Sequence, residues 1–242
     1  MVLMLLVWAG IAAIVSWQVR ILRRERGLER EHQQRGSSAV TATLHEDVSA
    51  LDEDLWRLGH DLADADFDGE ARRDYERAVV ISDAVRRSVD QLRSVTLADA
   101  MTEALAEARY AMACARSRLV EQPIPERRLP CFFNPRHGPS IADVRWHHAP
   151  GEPVDVPACA AHAPRIAVPE EPDSLRVWTS STRVPYWAAT VAFYAYATGY
   201  FNGDWAGSKD GALAALNAGI VGPFAGIDGG PIWGIEVAGG GF

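Results

Sequence analysis

Six apolar residues, Leu44, Val48, Leu51, Leu55, Leu58 and Leu62, recur at alternating intervals of four and three. That spacing puts all six on one stripe of an α-helix, and such a stripe must be covered by another apolar surface. Two more stripes follow at helical spacing. One runs through Ala71, Tyr75, Ala78, Ser82, Val85, Val89 and Leu92, the other through Leu97, Met101, Leu105, Ala108, Met112, Ala115 and Leu119. The punctuation agrees. Gly36-Ser37-Ser38 reads as a hinge, Thr43 with Glu46 and Thr96 with Asp99 have capping-box spacing, and Pro123 and Pro125 end the last segment. Three helices of about 20–25 residues with short connections predict an antiparallel three-helix bundle over residues 41–122. The narrow stripes equally suit a coiled coil, so a homo-oligomer or a protein partner is expected to dock through this bundle.

The stretch Val2 to Val19 is 18 residues without a formal charge. At about 1.5 Å per residue it nearly matches a hydrocarbon core of about 30 Å. Residues 1–19 therefore read as a transmembrane anchor in the lipid bilayer. Residues 20–40 read as a basic juxtamembrane helix and hinge, where Arg20, Arg23, Arg24, Arg26, Arg30 and Arg35 outnumber Glu25, Glu29 and Glu31. Positive flanks stay inside, which predicts a single-pass plasma-membrane protein with its N-terminus out and its body cytoplasmic.

Net charge −8 and a pI near 5.4 argue against nucleic acid held by overall basicity. Between residues 44 and 70, ten acids face Arg57 and two histidines. A solvated acidic face is the favoured reading, and a dock for a basic partner is the second. Asp64-Ala-Asp66-Phe-Asp68-Gly69 has the front half of a calcium loop, but position twelve is Tyr75 where the bidentate Glu belongs. A helical-hairpin turn explains it better than a calcium site.

Residues 123–183 hold most of the prolines and four of the seven histidines. Val144–Trp146 and Val154–Val156 flank Pro150-Gly151, as a β-hairpin would. Such a small β-containing module buries little core and often needs a staple. Cys131, His137, Cys159 and His162 could supply one as a Cys₂His₂ zinc site, although the C-x5-H arm is wide beside the C-x2-H arm. The favoured reading is two buried thiols packing as small hydrophobes, with His137 bonded locally and Cys114 in a helix core. A Cys131–Cys159 disulfide is the third reading, disfavoured in a reducing compartment.

Val184 to Phe201 is uncharged and rich in aromatics, and twelve of the 20 glycines fall between Gly203 and Gly241. Residues 184–242 thus read as a low-complexity Gly/aromatic tail, loosely ordered, with a membrane hairpin or an interfacial segment over 184–227 as alternatives.

The run PERRLPCFFNPRHGPS (residues 125–140), the VPAC ending at Cys159 and the VPYW ending at Trp187 resemble an uncharacterised family of actinobacterial membrane-anchored proteins. The resemblance supports the architecture and implies no activity, cofactor or catalytic residue. No nucleophile elbow, P-loop, dinucleotide fingerprint, H-E-x-x-H or kinase signature occurs. The expectation is a mainly α, non-catalytic, membrane-tethered scaffold or adaptor. A structural zinc or thiol redox-sensing module is the alternative, and a cysteine-dependent enzyme comes behind it.

Overall fold

The computed structural model describes residues 34–63, 69–92, 97–147, 152–166, 172–179, 182–189 and 191–221. Among the described residues the fold is mainly helical, with two small sheets. Helix α1 covers residues 34–63, α2 Gly69–Val89 and α3 Ala98–Leu119. The six apolar residues of the α1 stripe are all buried, none more than 8% exposed. Polar pairs fix the directions of the helices. His45 lies 3.5 Å from Asp90, while Asp52 meets Ser82 (2.7 Å) and Arg86, so α1 and α2 run antiparallel. Asp74 meets Arg118 at 2.9 Å and Arg77 meets Glu107 at 2.5 Å, so α2 and α3 do too.

Several expected boundaries move. The hinge at Gly36-Ser37-Ser38 and the cap at Thr43 are helical interior. Ser38, Thr41 and Thr43 each donate a hydroxyl to the carbonyl four residues back, at 2.9–3.0 Å, which satisfies them without ending the helix. The second capping box is also corrected: Leu97 occupies the cap position of α3, with no side-chain cap bond, and is 54% exposed. Thr96, the Asp64–Asp68 run and the anchor over 1–19 lie outside the described residues. No helix among the described residues is long and apolar enough to cross a membrane.

The acidic face is not simply solvated. Asp47 is 1% exposed, and Asp52 and Asp54 are engaged by Arg86 and by Arg57 and Arg109. Asp47 sits three residues after Leu44 and four before Leu51, on the buried stripe itself. Its Oδ1 accepts from Arg136 Nε, and its Oδ2 accepts from Tyr196 and Tyr200 hydroxyls, each at 2.7 Å.

Those tyrosines overturn the expectation of a loose tail. After the hairpin of β1 (Ala142–Trp146) and β2 (Val154–Ala158) and the short ribbon of β3 (Arg176–Trp178) and β4 (Arg183–Pro185), the chain re-enters the core. Tyr186, Trp187, Phe193, Tyr196, Tyr200 and Phe201 are at most 2% exposed. Helix α4 (Tyr194–Gly199) packs on α3, and α5 (Lys209–Val221) packs on β2. Glycine serves close approach here. A Cβ on Gly199 would collide with the Asp99 carbonyl and Thr102 Oγ1, and one on Gly211 with the Asp155 carbonyl. Buried residues of the bundle, the Cys/His module and the aromatic segment therefore share one core. Residues 222–242 lie outside the described part.

Three measurements probe this core. Asp47→Ala strands Arg136 and two buried phenols, so unfolding in denaturant should show a loss of about 3–5 kcal/mol. Gly199→Ala should cost about 1–3 kcal/mol through overpacking of α4 on α3, measured the same way. Burial, reinforced by the Asp47 carboxylate, pushes the phenols of Tyr196 and Tyr200 well above their ordinary 10.0. Unfolded phenols ionise above that value while the folded ones stay neutral. Their contribution to stability is therefore complete below about pH 10 and is lost as the pH rises toward the folded values. Stability compared at pH 9 and 11 should fall, and the Tyr196→Phe, Tyr200→Phe double variant should flatten that slope.

Candidate metal centre

The segment after α3 doubles back on itself. Cys131 N donates to the Gly138 carbonyl (3.1 Å) and Ser140 N to the Leu129 carbonyl (2.9 Å), so Cys131 and His137 sit side by side despite five intervening residues. A 3₁₀ turn at Pro135–His137 closes the loop. Asn134 caps it by accepting from Arg136 N at 3.1 Å, and Gly138 leaves it at φ +78°, where a β-carbon would be strained. The width of the C-x5-H arm is thus absorbed by the turn.

The second arm is tighter. Cys159 directly follows β2, and His162 N and Ala163 N both donate to its carbonyl, at 3.0 and 2.9 Å. Phe132 N donates to the Pro157 carbonyl at 2.8 Å, which lays the first arm beside the second.

All four residues read from the sequence meet. One donor atom from each of Cys131, His137, Cys159 and His162 lies within 4.8 Å of every other. Three sulfur–nitrogen separations are 3.2 Å (Cys131–His162), 3.4 Å (Cys159–His137) and 3.5 Å (Cys159–His162), each to Nδ1. Metal–sulfur bonds of about 2.3 Å and metal–nitrogen bonds of about 2.0–2.1 Å at a tetrahedral angle give edges of about 3.5 Å. The cluster could hold a metal ion. Cys131, Cys159 and His162 are buried, whereas His137 is exposed and covers the cluster toward solvent.

The two histidines are not equivalent. His162 Nε2 donates to the Asp173 carbonyl at 2.7 Å, leaving its Nδ1 lone pair facing both sulfurs. This is the outer hydrogen bond that orients a ligating imidazole. His137 Nε2 faces the Asn134 Nδ2 amide at 3.1 Å, so it accepts there and its Nδ1 carries the proton toward Cys159. The local bond expected for His137 is this one. The rings stack, with centroids 5.0 Å apart.

The sulfurs share their protons unequally. The Cys131 thiol is held far above its ordinary range because it donates to Cys159, and burial adds to this. Cys159 is pushed well below its ordinary value, first by accepting from Cys131 and then by the His137 bond, against the effect of burial. Cys114 is buried in α3, as read, where burial raises its thiol.

Of the other two histidines in this stretch, His147 follows β1, is exposed and is not part of the cluster, and His148 lies outside the described residues. The residue that sequence reasoning missed is Asn134, with Arg136 beside it. Asn134 orients His137, and Arg136 ties the same turn to Asp47. An Asn-Pro pair just before the histidine was the available signal.

No known protein family, curated protein or solved structure matches this chain. The chemistry of the centre therefore rests on its own residues.

Proposed function

We propose that the protein is a non-catalytic scaffold whose C-terminal half is fastened by one structural zinc ion on Cys131, Cys159, His162 and His137. The observation that carries this reading is the convergence of the four donor atoms within 4.8 Å. Two thiolates and two imidazoles suit zinc above harder cations, which prefer oxygen. Four protein ligands fill a tetrahedron, so no position is left for substrate, and that favours structure over catalysis. The ion replaces the protons that the sulfurs and His137 hold between them. The anchor read over residues 1–19 would hold such a body at a membrane, with the bundle surface offered to a protein partner.

The full chain, purified under reducing conditions, should carry one zinc per molecule by elemental analysis. Cobalt put in its place should give the intense thiolate charge-transfer band and the visible absorption of a tetrahedral S₂N₂ site. Cys131→Ser, Cys159→Ser and His162→Ala should abolish binding. His137→Ala should weaken it by about 10–100-fold, because solvent can supply the exposed fourth position. A folded chain with no zinc and no tetrahedral cobalt spectrum would overturn the reading.

A further inference from the structure

We propose that peroxide turns the Cys131–Cys159 pair from metal ligands into a disulfide, so that the centre gives up its metal on oxidation. The inference rests on the zinc reading above and adds how the site is regulated. Three observations carry it.

First, the centre has only two anionic donors, and their sulfurs lie within 4.8 Å of each other. Second, the Phe132 N to Pro157 carbonyl bond of 2.8 Å ties the arm that carries Cys131 to the arm that carries Cys159, which keeps the two cysteines neighbours. Third, access is graded. Cys131 is 0% exposed and Cys159 is 7% exposed, with the exposed His137 beside Cys159 as the side from which a small oxidant arrives.

The chemistry balances without any further reactant. The Cys159 thiolate attacks one oxygen of hydrogen peroxide, the O–O bond breaks, and with one proton the products are a sulfenic acid and water. Cys131 sulfur then attacks the Cys159 sulfur, the S–O bond breaks, and the departing hydroxide takes a second proton to leave as water. In sum, two thiolates, one peroxide and two protons give one disulfide and two waters. Two imidazoles alone remain, and zinc dissociates. Cys131 acts as the resolving thiol because it is buried against the attacked sulfur. Cys114 lies in α3, apart from the cluster, and has no part in the reaction.

The test uses the zinc-loaded full chain freed of reductant. Zinc is counted first, hydrogen peroxide is added with a chromogenic zinc chelator, and thiols are counted before and after. One zinc should appear for every two thiols lost, and peptide mapping should find a Cys131–Cys159 disulfide with Cys114 still a thiol. Dithiothreitol with added zinc should restore the starting state, and Cys114→Ser should release zinc as the native chain does. Zinc present at the outset and retained while thiols oxidise would overturn this proposal alone. So would zinc release with sulfinic acids and no disulfide. No zinc at the outset would overturn the metal reading and this proposal together.

Discussion

A carboxylate on the apolar stripe of a helix cannot be buried unpaired, because its charged form is strongly disfavoured away from water. Asp47 imposes that condition on everything around it. Its partners stand 89, 149 and 153 residues further along the chain, in Arg136, Tyr196 and Tyr200. To satisfy one side chain of α1, the chain must bring back both the loop that carries the Cys/His cluster and the helix of the aromatic segment. An apolar residue at position 47 could be covered by many surfaces. A carboxylate with three donors accepts very few, which gives the packing of α4 and the Pro135–His137 turn a single solution.

The same interaction reaches the cluster through one peptide bond. Arg136 and His137 are neighbours in the 3₁₀ turn, so the ion pair that places Arg136 against α1 also sets where His137 can lie. Arg109 of α3 supports the turn from another side, donating to the Arg136 carbonyl at 2.7 Å while pairing with Asp54 of α1. The exposed His137 is therefore held by the bundle. The buried His162 is held by the β3 side through the Asp173 carbonyl. The Cys/His cluster stands where these two supports meet.

The bundle was legible because its signal is local and repeated: each apolar stripe names its own buried face. The four cluster residues were legible as a set because cysteine and histidine are scarce in this chain. The wide arm obscured them, since nothing in C-x5-H announces that a capped turn brings its ends together. The aromatic segment was misread for a physical reason. Glycine lowers helix propensity while alanine adds little apolar contrast, and that pattern also describes a flexible tail. Gly199 and Gly211 are there because two backbones touch, a fact about tertiary distance that no local pattern contains. Asp47 carried a readable signal, a lone charge on an apolar stripe, which the surrounding run of acids masked.

Two-stranded ribbons are marginal by themselves, and the described residues form two, β1–β2 and β3–β4. They are stabilised from different directions. Inside, Phe132 packs against Phe133, Trp146, Tyr186, Trp187 and Phe201 at ring separations of 5.2–6.1 Å, joining strand β1 to the returning chain. At the rim, the Cys/His cluster follows β2, and Leu175 N donates to the Phe133 carbonyl to bring the β3 ribbon alongside. Phe133 belongs to both systems, since its ring also lies 5.3 Å from His162. Cys131 and Cys159 themselves belong to the buried core, so the contacts that position the cluster are also those that stabilise the two ribbons.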